Sequence, residues 1–374
     1  GGNTYGLDFD RHGQLLAGTN WGGKAMLHQM QGAYYVKGFS KHGPLHNPHA
    51  YGYLDHVPYE GFKGGHVTCG GIVYLGDTFP PEYRDQYIAG NLLSNAVYWH
   101  QLTPDGSTFK AKHGGDLLVA NDTWFRPVDL LLGPDGSVYV ADWTDRRAAH
   151  LDPVDDWDRS NGRIYKIEYK GTPAFPTFDL RTKTSAELVE LLKHPNGWWR
   201  REARRLLAEG QDEAVYPTLV KLAKEEKGLV ALEALWAWYT TFGFRYPFPP
   251  DISAPVHEDL ELHPNEHVRA WAARLTTEKP DRRHNPIGSL LAAKDQSPVV
   301  LAQVACSATR SALLELLLRE DMPADPQLPM LLWWGVERAL SNRVLNYRDC
   351  LNIVLQYRQD LPRLAEWIVR RSFA

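Results

Sequence analysis

Glycine divides this chain into two kinds of polymer. Of its 31 glycines, 25 fall in residues 1–171 and six in residues 172–374. Glycine weakens helix interiors and supplies the positive φ that tight turns require. The first stretch is therefore committed to strands and turns, and the second is free to be helical. The first carries short alternating apolar runs broken by Gly, Asn and Asp-Gly, which is hairpin chemistry. The second carries Leu, Ala, Arg and Glu at helical spacing. The change falls at the Pro-marked segment Gly171–Pro176. We expect a β domain over 1–171, a linker over 172–184 and an all-α domain over 185–374.

A unit recurs in the first domain. Thr4–Asp10 reads as a strand, Arg11-His12-Gly13 as a turn and Gln14–Thr19 as a second strand. Pro127–Leu132, Pro134-Asp135-Gly136 and Ser137–Ala141 repeat that order, and Gly162–Tyr169 adds a third strand. A looser copy runs through His66–Leu75, Gln86–Asn91, Ala96–Leu102 and Pro104-Asp105-Gly106 to a fourth strand near Asp116–Ala120. Four antiparallel strands per unit predict β-propeller blades, about three of them, where closed propellers have about four to eight. Bare sheet faces would follow, so further blades are expected before Gly1.

The second domain repeats as well. His194-Pro195-Asn196 with Arg200 recurs as His263-Pro264-Asn265 with Arg269, 69 residues later, and Asp295–Val300 is a weaker third copy. A helix end, a Pro turn and a helix carrying Arg then Ala then Leu form a HEAT-like pattern, and such pairs stack into a solenoid. Arg200 and Arg269 are expected to bond carbonyls or acids between repeats. Trp199 and Trp271 are expected in the helical core.

The charge balance is 41 Lys plus Arg against 45 Asp plus Glu. No basic stripe stands out, which argues against a nucleic-acid footprint. No apolar run reaches the roughly 18 residues that a membrane-spanning helix needs. Cys69, Cys306 and Cys350 allow at most one disulfide. No P-loop, G-x-G-x-x-G, G-x-S-x-G or C-x-x-C-H motif occurs.

Propeller geometry would gather the loops before each innermost strand, and those joining the second strand to the third, on one face. That face would receive Asn3, Asn20, Trp21, His66, Thr68, Asn91–Asn95, Asp122, Trp124, Arg126 and Asp142–Arg147. Arginine pairs carboxylates bidentately and indoles stack on flat rings or sugar faces. Such a funnel suits a planar polyacid or a sugar; the alternative is that Arg126 and Asp142 pair with each other or cap loops. His66 is placed as a general base, or as a hydrogen-bonded histidine at a strand start. His46-x-x-His49 invites a metal, yet Pro48 prevents a regular helix there and no acid completes the set. Asp152, Asp155, Asp156 and Asp158 form an acidic loop that could hold calcium through oxygen ligands, although Asp also simply favours turns.

Trp124–Asp129, Gly133–Trp143 and Asp158–Ile167 together resemble the closing blades of soluble quinoprotein sugar dehydrogenases. The order of blades then helical repeats, with Gly64–Gly71 and Asn121–Trp124, resembles more closely the large planctomycete-type membrane-bound dehydrogenase family. That resemblance implies an oxidoreductase using pyrroloquinoline quinone and calcium on the loop face, in an extracytoplasmic (periplasmic) location. It implies a carbohydrate or polyol substrate and a cytochrome-like electron acceptor. Arg126 would contact the quinone, with Asp142, Trp143, Trp124 and Asn91 around the cofactor. The family's base histidine lies in an earlier blade, so His66 would substitute for it. A rival expectation is a non-catalytic scaffold that recognises glycans or proteins, its helical solenoid recruiting a protein partner. A third is a calcium-dependent hydrolase or lactonase, supported only by the acidic loop.

Overall fold

The computed structural model describes residues 5–36, 47–64, 68–147, 158, 160–243, 260–277, 286–307, 309–357 and 362–374. Strands come first and helices second. Strands β1 (Leu7–Phe9), β2 (Leu15–Gly18) and β3 (Met26–Gln29) form one antiparallel sheet in that order. Strands β4 (Tyr59–Glu60), β5 (Thr68–Val73), β6 (Tyr87–Asn91), β7 (Ala96–Asp105) and β8 (Thr108–Val119) form the second, in the order β5-β6-β7-β8-β4. Strands β9 (Pro127–Leu132), β10 (Val138–Asp142) and β11 (Arg163–Ile167) form the third, again antiparallel. Where four antiparallel strands per unit were expected, the described residues form sheets of three, five and three strands. β4 pairs parallel to β8. It comes from the polar Lys37–Gly65 stretch, whose composition carries no strand signal.

The hairpin turns follow from their residues. In Gly133-Pro134-Asp135-Gly136 the Asp135 carboxylate accepts the Ser137 amide at 3.1 Å, and Gly136 takes a φ of 76°. In the β1–β2 turn Asp10 accepts the amides of His12 and Gln14, each at 2.8 Å, and Gly13 takes a φ of 77°. Such left-handed positions are open to glycine at little cost.

Helices α1 (Ser185–Leu191), α2 (Gly197–Gly210), α3 (Tyr216–Glu225), α4 (Leu229–Phe242), α5 (Glu266–Thr277), α6 (Pro286–Lys294), α7 (Pro298–Ser307), α8 (Arg310–Leu318), α9 (Leu328–Ser341), α10 (Tyr347–Tyr357) and α11 (Pro362–Ser372) follow. They pack in two rows. The inner row is α2, α4, α5, α7, α9 and α11, each against the next; α6, α8 and α10 form part of an outer row. Thr184 and Glu187 close a capping box on α1, and Asn196 caps α2 by accepting the Trp198 amide. None of the described helices is long and apolar enough to cross a membrane.

The repeated His-Pro-Asn…Arg motif acquires a mechanism. Arg200 donates to the carbonyls of His194 and Pro195 and pairs with Glu233 of α4 at 2.9 Å. Arg269 donates to the carbonyls of His263 and Pro264 and pairs with Asp295 at 2.6 Å. Each arginine ties its own turn to the following repeat, the structural role expected of it.

Along α2 to α9 the inner row meets the β half. The hairpin turns of the β half rest on it. Asn196 donates to the carbonyls of Gly133 and Pro134, and Trp199 donates to Pro134 at 2.9 Å. Trp271 of α5 donates to the carbonyl of His12 at 2.7 Å. Ser107 binds Asp325 ahead of α9. Trp333 and Trp334 of α9 both donate to the carbonyl of Ala50 at 3.0 Å. The core role expected of both is corrected for Trp199, which lies outside the helical core, while Trp271 packs at the edge of that core. Both are half-buried anchors for the β half. The face through which a helical array could recruit a partner is occupied, along α2 to α9, by the chain's own sheets.

Candidate functional site

The helices cover the turn ends of the sheets, so the opposite ends carry the loops. There the chain enters β9 through Asn121–Arg126 and leaves β10 through Trp143–Arg147. Asp142 organises this end. Its carboxylate accepts the backbone amides of Arg126 and Thr144, both at 2.7 Å, and the Thr144 hydroxyl. Arg163 approaches it at 3.9 Å and donates to the Thr144 hydroxyl at 3.0 Å. Past the ladder, Trp143 donates its amide to the Arg126 carbonyl and Asp145 donates to that of Trp124. Asn95, at the start of β7, donates to the carbonyls of Thr123 and Phe125.

Three non-glycine residues at this end hold positive φ: Asn95 at 52°, Asn121 at 52° and Thr144 at 51°. For a β-branched residue such as Thr144 this is a genuine outlier. Strain of this kind persists only where surroundings over-determine it, and it concentrates at functional sites. Here the Asp142 carboxylate supplies the determination.

Arg126 is 5% exposed. Its guanidinium donates to the carbonyls of Phe125 and Arg146, and its Nε is shielded from solvent without an acceptor among the described residues. Burial pulls it below the ordinary arginine value, against the opposing pull of Asp145, Asp142 and Asp122. A quinone carboxylate needs an open guanidinium fork. Arg126 is instead built into the loop, and Asp142 beside it is a loop anchor. These two residues do not fit the cofactor-binding role expected of them. Asn91 is fully buried at the end of β6, where its side-chain oxygen accepts the Ser94 amide. Thr68 is likewise structural, donating its hydroxyl to the carbonyls of Thr19 and Ala25. Trp124 and Trp143 behave differently. They stand 37% and 44% exposed on the locked loops.

His66, Asp152, Asp155 and Asp156 lie outside the described residues. Asp158 is described, and its carboxylate is engaged locally by the Ser160 amide and hydroxyl and by Asn161. Those hydrogen bonds, the Ser160 hydroxyl foremost, hold it below the usual carboxylate range. Among the described residues no group of three His, Cys, Asp or Glu is arranged to hold a metal ion. His46 also lies outside them, while buried His56 bonds Thr19 and Asp55. Cys69, Cys306 and Cys350 are buried free thiols.

Sequence reasoning put Asn95, Thr144 and Asp145 on the loop face without seeing them as the scaffold under the two indoles, and it missed Arg163. The Asp-x-Thr spacing of an Asx turn was available as a signal; the positive φ was not.

A family model described as a domain of unknown function (DUF7133) matches residues 1–171. No curated protein and no solved structure matches the chain.

Proposed function

We propose that residues 1–171 are part of a β-propeller whose loop end recognises a carbohydrate or polyol, and that the helices form a HEAT-like clamp holding the sheets. The observation that carries this reading is the pair of exposed indoles, Trp124 and Trp143, on loops fixed by buried polar groups. An indole face covers the C–H face of a sugar, and its worth rises when the ring is already fixed in place. The buried Asp142 net provides that pre-organisation while both indoles keep part of their surface exposed.

The chain's contribution is binding and orientation. The sugar or polyol would stack on the indoles, and hydroxyl groups of the ligand would meet the polar rim of Asp122 and Arg163. The quinone-dependent oxidation implied by the resemblance enters as a rival outcome. The test is a fluorescence titration of the whole chain with a panel of mono-, di- and oligosaccharides and polyols. Trp143→Ala and Trp124→Ala should each weaken binding by about tenfold or more, about 1.4 kcal/mol, with an unchanged thermal midpoint. Absence of binding across the panel, or binding indifferent to both variants, would refute the reading. Sugar-dependent dye reduction on adding pyrroloquinoline quinone and calcium would replace it by the dehydrogenase.

A further inference from the structure

Two cavities lie where the β1–β2 turn meets the helices, one on either side of Gly13 and Trp271. The larger, about 430 Å³, is roofed by β1 and its turn and floored by α2, α4 and α5. Its size falls within the range of small-molecule pockets, about 300–1,000 Å³. Its walls are largely apolar: Phe9, Leu75, Trp236, Trp271 and Leu275.

The polar groups in this cavity are unbalanced. Arg201 donates through Nη2 to the Phe9 carbonyl and the Asp8 carboxylate, which leaves its Nε and Nη1 without an acceptor among the described residues. Arg204 meets Glu233 through Nη1 and lies over the Trp236 ring at 5.0 Å, which leaves its Nε and Nη2 in the same condition. The indole Nε1 of Trp236 is buried and also has no acceptor. Donors therefore outnumber acceptors. The charges lean the same way. Burial, then crowding by Arg201 and Arg200, pulls Arg204 down to about 9, and burial pushes the Asp10 carboxyl up to about 7. Trp236 Nε1 is a buried donor left unpaired, which costs about 1–3 kcal/mol, while the Arg201 and Arg204 edges are partly solvent-exposed; a ligand that brings acceptors into the cleft can serve all three.

We propose that this cleft between the sheets and the helices is a binding site for a flat organic anion, an aromatic carboxylate in class. The carboxylate would take the open guanidinium edges of Arg201 and Arg204, and the ring would lie on the apolar wall of Trp236, Trp271 and Phe9. The site is separate from the loop end and does not depend on the carbohydrate reading. Because its walls come from both halves of the chain, occupancy would also tie the halves together.

The probe is benzoate, titrated calorimetrically into the whole chain. Benzyl alcohol keeps the ring and lacks the charge; inorganic phosphate keeps the charge and lacks the ring. Benzoate should bind at least about tenfold more tightly than either. Arg201→Gln should remove most of that affinity. Trp236→Phe, which keeps the ring packing and deletes the indole donor, serves where Arg201→Gln fails to fold. Trp143→Ala should leave benzoate binding intact. Undetectable benzoate binding, equal affinity for all three probes, or affinity unchanged in both Arg201→Gln and Trp236→Phe would overturn the proposal.

Discussion

Replacing Gly13 by alanine probes one of the contacts that join the two halves. Gly13 sits at a φ of +77° at the tip of the β1–β2 turn. A Cβ there would stand 2.6 Å from Cζ2 of Trp271 and 2.9 Å from Cζ2 of Trp236. Both rings are held: Trp271 donates to the His12 carbonyl, and Trp236 carries the Arg204 guanidinium. Neither can swing aside without breaking a partner. Gly23 provides the control. Its φ is also +77°, and nothing lies within 4 Å of the Cβ it would gain. Gly23→Ala therefore reports backbone strain alone, about 1–2 kcal/mol. Gly13→Ala adds overpacking, typically about 1–3 kcal/mol, for a total of about 2–5 kcal/mol. Urea unfolding followed by tryptophan fluorescence measures both from the shift in midpoint at constant slope. If Gly13→Ala costs no more than Gly23→Ala, the turn does not press on the helices and the account of the interface is wrong.

Other consequences follow from buried charge and stacked rings. Glu233, 3% exposed, faces both Arg200 and Arg204; Glu233→Ala strands two guanidinium groups and should cost about 3–5 kcal/mol by the same unfolding assay. A neutral result would mean water reaches this pair. His12 stacks on His267 across the interface, ring centroids 3.5 Å apart, with Asp10, Arg11, Glu266 and Arg269 as the charged neighbours. Burial, then His267 and Arg11, pulls His12 down to about 3, and burial lowers His267 too. A histidine whose folded value is depressed takes its proton preferentially in the unfolded chain, so stability is present above about pH 6.5 and is lost as pH falls towards about 3. The raised Asp10 carboxyl opposes this, because its proton is held preferentially in the folded state as pH falls through 7. His12→Gln should therefore flatten the acid side of the stability curve between about pH 6.5 and 4. Parallel curves for the two proteins would show that the stack does not titrate with unfolding.

Much of the local structure is written in short sequence signals. Pro127–Leu132 was read as a strand and is β9, because alternation and the following Pro-Asp-Gly turn are both local. The His-Pro-Asn…Arg repeat exposed its arginines as ties between repeats, because a carbonyl partner five or six residues away is fixed by the turn itself. Trp199 was misassigned, and the second role of Trp271 was missed, because helical periodicity shows which face is apolar, not which element covers it. The cover here comes from turns 65 and 259 residues away in sequence. The loop end shows the same division. Trp124, Arg126, Asp142 and Trp143 lie together at one end of the sheets because β9 and β10 are adjacent hairpin strands. Their exposure could not be read from residue type: arginine looks like the ligand-facing group and is buried, while the indoles stand out.

Hydrogen exchange on the whole chain, with and without a saturating sugar or polyol from the panel, tests the central claim most directly. The account predicts new protection confined to the loops over 121–126 and 142–147. Protection absent from these loops and appearing instead along α2, α4 and α5 would contradict it.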